Sequence, residues 1–91
     1  MSIHFNGPST VEIFTTTNCP FCWAAKELLE RKSLAYDEVK VDGRPDLREK
    51  LQNLSGSHTV PQIWINNVHI GGFTELEACD NSGRLDRLLG K

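Results

Sequence analysis

The sequence predicts an α/β fold, a four-stranded mixed sheet flanked by helices, on three observations. Short β-like runs alternate with helical apolar stripes through the first half, the pattern of a strand–helix–strand unit. In the second half two apolar runs are separated only by Asn66-Asn67, which reads as a hairpin. The chain has 91 residues, room for one small domain over residues 1–91 with a modest core.

Taken in order, Asn6, Gly7, Pro8 and Ser9 mark residues 1–9 as a flexible lead-in. Val11-Glu12-Ile13-Phe14 is rich in β-formers and reads as a first, central strand. Thr15-Thr16-Thr17-Asn18-Cys19-Pro20-Phe21-Cys22 follows at once. From Pro20 to about Lys32, Phe21, Ala24, Ala25, Leu28 and Leu29 form an apolar stripe opposite Lys26, Glu27, Glu30 and Arg31, so an amphipathic helix is expected. Tyr36 to Val41 reads as a second strand, and strand–helix–strand implies a parallel pair joined by a right-handed crossover. Asp42-Gly43-Arg44-Pro45 is a turn opening a helix over about 45–55, where Leu47, Leu51 and Leu54 recur at helical spacing and Ser55-Gly56 supplies the stop. Ile63-Trp64-Ile65 and Val68-His69-Ile70 are the hairpin strands, because both asparagines between them tolerate positive φ. Gly71-Gly72 ends the hairpin, and Thr74-x-x-Glu77 has the capping-box spacing for a helix carrying Leu76 and Cys79. Asp80 to Gly83 interrupt that helix before Leu85, Leu88 and Leu89 resume the pattern. This order is the minimal thioredoxin-like architecture.

Charge and composition exclude several function classes. With 10 basic and 12 acidic residues intermixed and a net charge of −2, there is no basic stripe for nucleic acid and no polybasic membrane anchor, so neither partner is expected. No run approaches the ~18 apolar residues of a membrane span. Met1-Ser2-Ile3-His4-Phe5-Asn6 lacks the charged and apolar regions of an export signal, and a cytoplasmic location is the expectation. Three cysteines argue for a reactive pair plus a bystander, Cys79, rather than a disulfide framework.

Cys19 and Cys22 lie within one helical turn, close enough for one sulfur to attack a disulfide and the other to resolve the mixed disulfide. If the helix begins at Pro20, Cys19 stands at its N-terminus, where unsatisfied N–H groups and the dipole favour a thiolate. Cys19 is then the nucleophile and Cys22 the resolving thiol. Pro20 suits the first helical position. Farther on, Val60-Pro61 leaves backbone groups that cannot enter regular pairing, an edge for an extended peptide. A helix start near Thr74 offers N–H groups to a carboxylate, and Gly71-Gly72 permits close approach.

Cys19-Pro20-Phe21-Cys22, Thr59-Val60-Pro61-Gln62 and Gly71-Gly72-Phe73-Thr74-Glu75 together resemble the signature segments of a dithiol glutaredoxin, in the right order and over nearly the whole span from Val11 to Leu89. The resemblance implies a glutathione-dependent thiol–disulfide oxidoreductase that reduces protein disulfides and protein–glutathione mixed disulfides. It implies a monomer with no tightly bound cofactor, glutathione serving as co-substrate. Cys19 and Cys22 match the family's catalytic pair, and Pro61 its cis-proline facing the dithiol. Phe21, Thr59, Val60, Pro61, Gly72, Phe73, Thr74 and Glu75 match glutathione-contacting positions, with the Val60 backbone beside the cysteinyl portion and Thr74-Glu75 at the γ-glutamyl end. Where the family usually carries a lysine, three residues before the nucleophile, this chain has Thr16, and Arg48 becomes the expected cation for the glycyl carboxylate.

Structural alternatives stand beside these readings. A zinc site would need two further ligands, and Cys79, His58 and His69 show neither a second Cys-x-x-Cys nor a histidine pair, so no metal is expected. An iron–sulfur carrier using glutathione is the rival from another class, although cluster-holding relatives mostly have Ser or Gly where Pro20 stands. A thioredoxin-reductase-linked redoxin is the rival enzyme, and should lack the γ-glutamyl site at Gly72–Glu75. The default for Cys79 is a small buried hydrophobe, for His58 and His69 an exposed or hydrogen-bonded structural role, for Trp23 a helix residue near the site, and for Arg48 a solvated charge.

Overall fold

The computed structural model describes residues 10–90, so the expected lead-in over 1–9 lies outside the described residues. β1 (Val11–Thr15) is buried along its whole length. It is flanked on both sides, by β2 (Tyr36–Lys40) in parallel and by β3 (Gln62–Ile65) antiparallel, and β4 (Val68–Gly71) completes the order β2-β1-β3-β4. A strand in that position has helices over both faces, so its residues must be apolar or satisfied on both. Val11 and Ile13 belong to one core cluster and Phe14 to the other, as period-2 alternation requires.

The larger cluster lies under α1 (Pro20–Arg31), α3 (Phe73–Asn81) and the short α4 (Arg84–Leu88), and includes Ala25, Leu28, Leu29, Leu76, Cys79 and Leu85. Cys79 is buried and unbonded, as a small hydrophobe would be. The smaller cluster, Phe14, Val41, Leu51 and Trp64, lies under α2 (Pro45–Ser55). The two clusters correct two sequence readings. Of the expected leucine stripe on α2 only Leu51 is fully buried, while Leu54 is 38% exposed, because one short helix covers a sheet face already filled by Trp64. On α1 the buried residues are Cys22, Ala25, Leu28 and Leu29, and Phe21 turns out to 63% exposure instead of joining the stripe.

Turn chemistry is as the sequence predicts. Asn66 and Asn67 take φ of 50° and 65° in the hairpin, and Gly56 caps α2 in the left-handed region. The registers Thr15↔Lys40, Phe14↔Gln62 and Ile63↔Gly71 bring the end of β1, the end of β2, the start of β3 and the end of β4 to one edge of the sheet. Four chain segments therefore leave or enter the sheet together there. They carry Cys19, Asp42, Pro61 and Gly72.

Candidate active site

The dithiol sits at the N-terminus of α1, with Cys19 at the N-cap in extended conformation (φ −139°, ψ 99°) and Pro20 opening the helix. Cys19 Sγ takes the place of the oxygen that usually caps a helix: the Cys22 N–H donates to it at 3.1 Å. The two sulfurs are joined as a disulfide. Cys19 keeps 7% of its surface exposed and Cys22 none, so only the first can be reached from outside. The carbonyl oxygen of Val60 lies 3.8 Å from Cys19 Sγ, which sets the loop before β3 directly against the dithiol. Val60–Pro61 is cis, as the resemblance implied.

Beside that contact runs a groove of about 180 Å³ lined by Phe21, Thr59, Val60, Pro61, Gln62, Gly72, Phe73, Thr74 and Glu75. Every expected ligand position except Arg48 is among them. Phe21, freed from the core, stacks on Phe73 with ring centroids 6.3 Å apart and joins the start of α1 to that of α3. Arg48 does not line the groove; its Nη1 donates to the His58 carbonyl at 3.1 Å, bracing the segment that leads to Thr59.

The capping expectation for α3 needs correction. The helix starts one residue before Thr74, with Gly72 at the N-cap, and Glu75, not Glu77, reaches back: its Oε1 accepts the Gly72 N–H at 2.7 Å. Gly72-x-x-Glu75 has the same spacing as the expected box, and glycine also serves at an N-cap. The first N–H groups of the helix precede its first intrahelical donor, Leu76, which bonds the Gly72 carbonyl at 3.0 Å. They belong to Phe73, Thr74 and Glu75, all of which line the groove.

Polar contacts that the sequence reading did not find hold the segments in place. Gln62, buried at the start of β3, donates to Thr59 Oγ1 at 3.2 Å and meets His69 Nε2 at 2.8 Å. Thr59 Oγ1 lies 2.8 Å from Ser57 Oγ. Ahead of the dithiol, Asp42 accepts the Thr17 N–H on both carboxylate oxygens, at 3.0 and 2.9 Å, and the Trp23 indole N–H donates to the Thr17 carbonyl at 3.1 Å. The Thr17 N–H is the main reason the Asp42 carboxyl is held below its usual range. Behind the dithiol, burial pushes the Glu38 carboxyl up, but the Thr15 hydroxyl at 2.6 Å and the Lys26 ammonium at 3.0 Å outweigh it and hold it low. Among the described residues no three His, Cys, Asp or Glu side chains gather as a metal site.

A redox dithiol whose first sulfur caps a helix beside an open groove suits disulfide chemistry, and the Glutaredoxin family profile matches residues 11–70. The chain belongs to the glutaredoxin family. It is 49% identical to a Pseudomonas aeruginosa glutaredoxin over 79 residues, 87% of this chain and 94% of that protein. It resembles the dithiolic glutaredoxin of Trypanosoma brucei brucei with a TM-score of 0.81 at 36% identity, covering 89% of this chain and 87% of the other. A buckwheat glutaredoxin–glutathione complex superposes with a TM-score of 0.82 at 26% identity, covering 90% and 77% of the two chains. As a glutaredoxin it has the thioredoxin-like fold and a thiol–disulfide oxidoreductase's redox pair in Cys19 and Cys22.

Proposed function

We propose that this glutaredoxin is glutathione-dependent and reduces both protein–glutathione mixed disulfides and protein disulfides. The observation that carries the reading is the placing of Cys19: the accessible sulfur, at a helix N-cap, with the Val60 backbone on one side and a groove leading to the N-terminus of α3. In the reduced protein the Cys22 N–H and the helix dipole favour the Cys19 thiolate. That thiolate attacks the glutathione sulfur of a mixed disulfide, forming a Cys19–glutathione bond while the protein sulfur leaves with the electron pair and takes a proton. A second glutathione thiolate attacks the glutathione sulfur bound to Cys19, giving oxidised glutathione and returning the Cys19 thiolate. On a protein disulfide, Cys22 resolves the intermediate and the Cys19–Cys22 disulfide closes.

In this reading glutathione lies extended along Thr59–Pro61, its γ-glutamyl carboxylate at the free N–H groups of Phe73, Thr74 and Glu75 and its glycyl carboxylate at the Thr59 end. Phe21 and Phe73 supply the apolar wall. Arg48 is the cation assigned to that end, its Nη1 hydrogen-bonded to the carbonyl of His58, the residue before Thr59. The test is reduction of a glutathionylated substrate coupled to glutathione reductase and NADPH. Cys19→Ser should abolish turnover while Cys22→Ser retains it, since only the accessible sulfur must attack. Equal loss in the two variants would refute the assignment.

A further inference from the structure

With the disulfide closed, the bond to Cys22 itself holds the Cys19 sulfur 3.1 Å from the Cys22 nitrogen. Once the disulfide opens, where that sulfur lies depends on the backbone on either side of Cys19, and the side before it is the Thr16–Asn18 connection, which has no regular pairing. Thr17 is the only residue of the Thr16–Asn18 connection whose N–H and C=O are both seen bonded to side chains, and those side chains come from different elements. Asp42 stands just after β2, on the sheet edge where β1 also ends, and holds the N–H. Trp23 stands on the first turn of α1, one residue past the dithiol, and holds the C=O while 53% exposed. The indole is half-exposed, and its N–H bond to the Thr17 carbonyl ties the ring to the connection.

We propose that Asp42 and Trp23 are positioning residues for the nucleophile: together they clamp the Thr17 peptide unit and so set where Cys19 Sγ lies relative to the helix N-terminus. The clamp has two jaws on separate elements. Asp42 ties the connection to the sheet, and Trp23 ties it to the helix that Cys19 caps. Releasing the first jaw lets Thr16–Asn18 rotate away from the sheet edge. Cys19 then samples conformations in which its sulfur no longer accepts the Cys22 N–H, and the thiolate loses a donor. The role requires an acceptor at position 42, not a charge.

This distinction sets the experiment, which uses the reduced full chain and alkylation by iodoacetamide, followed as a function of pH with the modified cysteine identified by mass. Asp42→Asn and Asp42→Ala lose the same negative charge, and with it the same interaction with Lys40, so any direct field effect on the thiol is common to both. Asparagine keeps a side-chain oxygen for the Thr17 N–H; alanine does not. The Cys19 titration of Asp42→Ala should lie about one pH unit above that of Asp42→Asn, roughly tenfold in thiolate population below the pKa. Trp23→Phe, which keeps an aromatic ring and loses the N–H, should move the titration upward from wild type. Thermal unfolding of each variant accompanies the titration, because a merely structural loss would lower the midpoint and leave the Cys19 titrations coincident. Coincident titrations for Asp42→Ala and Asp42→Asn overturn the proposal. The glutathione reading enters only as the use to which the positioned sulfur is put, and alkylation tests the clamp even if glutathione turnover were absent.

Discussion

Replacing Gly71 with alanine should destabilise the protein through a particular side chain, Glu75. Gly71 has φ of +118°, a conformation that L side chains rarely adopt, so strain of roughly 1–3 kcal/mol is expected whatever the surroundings. The surroundings add to it. A Cβ built there would lie 3.0 Å from both Cγ and Oε1 of Glu75 and 3.2 Å from its Cβ. The Glu75 Cβ is fixed by the helix backbone, so relief must come from rotating the rest of the side chain, which breaks its 2.7 Å bond from the Gly72 N–H. Loss of a helix-capping contact costs about 0.5–2 kcal/mol. The sum is about 1.5–5 kcal/mol, a drop of roughly 8–26 °C in Tm for a domain of this size.

Urea denaturation of four proteins, wild type, Gly71→Ala, Glu75→Ala and the double variant, separates the two contributions. Glu75→Ala keeps the contact at 3.2 Å with its own Cβ but removes the two at 3.0 Å and the cap, so Gly71→Ala should cost about 1 kcal/mol less in that background than in wild type. An equal cost in the two backgrounds would leave backbone strain as the whole effect and would refute the capping role assigned to Glu75.

If Arg48 holds the glycyl carboxylate as proposed, Arg48→Ala should raise the KM for glutathione about fivefold, near 1 kcal/mol, with kcat little changed, because such a contact is equal in ground and transition states. Thr16→Lys should lower the same KM, and unchanged glutathione kinetics in Arg48→Ala would make Arg48 only a brace for the His58 carbonyl. Tyr36 is held protonated, its pKa pushed up to about 12 first by burial and then by its bond to Glu30, so its stabilising contribution is complete below pH 10 and lost as pH rises through 12. Wild type should therefore lose stability across that window relative to Tyr36→Phe, and parallel curves would show that the hydroxyl contributes nothing. Leu51→Ala should cost about 2–5 kcal/mol and Leu54→Ala within about 0.5, since only Leu51 is sealed against Phe14 and Trp64; similar costs would contradict the packing of α2.

Strands and hairpin were legible because burial on two faces writes a period into the chain: Val11 and Ile13 against Phe14, and two asparagines where both residues need positive φ. Periodicity failed where an apolar residue serves something other than the core. Phe21 fits the helical stripe by spacing yet lines the groove, and hydrophobic pattern cannot tell a core wall from a ligand wall. The start of α3 was misplaced because Thr74-x-x-Glu77 and Gly72-x-x-Glu75 offer the same capping spacing. The residue type at position 74 pointed to the wrong one of the two. The clamp on Thr17 and the Thr59–Gln62–His69 contacts left no trace, since each joins polar side chains to partners fixed only by topology.

That dependence on topology locates the control of the site in the sheet itself. Cys19, Asp42, Pro61 and Gly72 sit on four separate segments, and what brings them to one edge is the register of β1 with β2 and β3 and of β3 with β4. A slip of one residue in β1 would exchange Ile13 and Phe14 between the two cores, turning each residue to the wrong face. The two apolar clusters, by differing in size and shape, therefore fix the register. The register in turn sets the distance from Cys19 Sγ to the Val60 carbonyl at the mouth of the groove. Substitutions that even out the two faces, far from either cysteine, should disturb the chemistry before they unfold the chain.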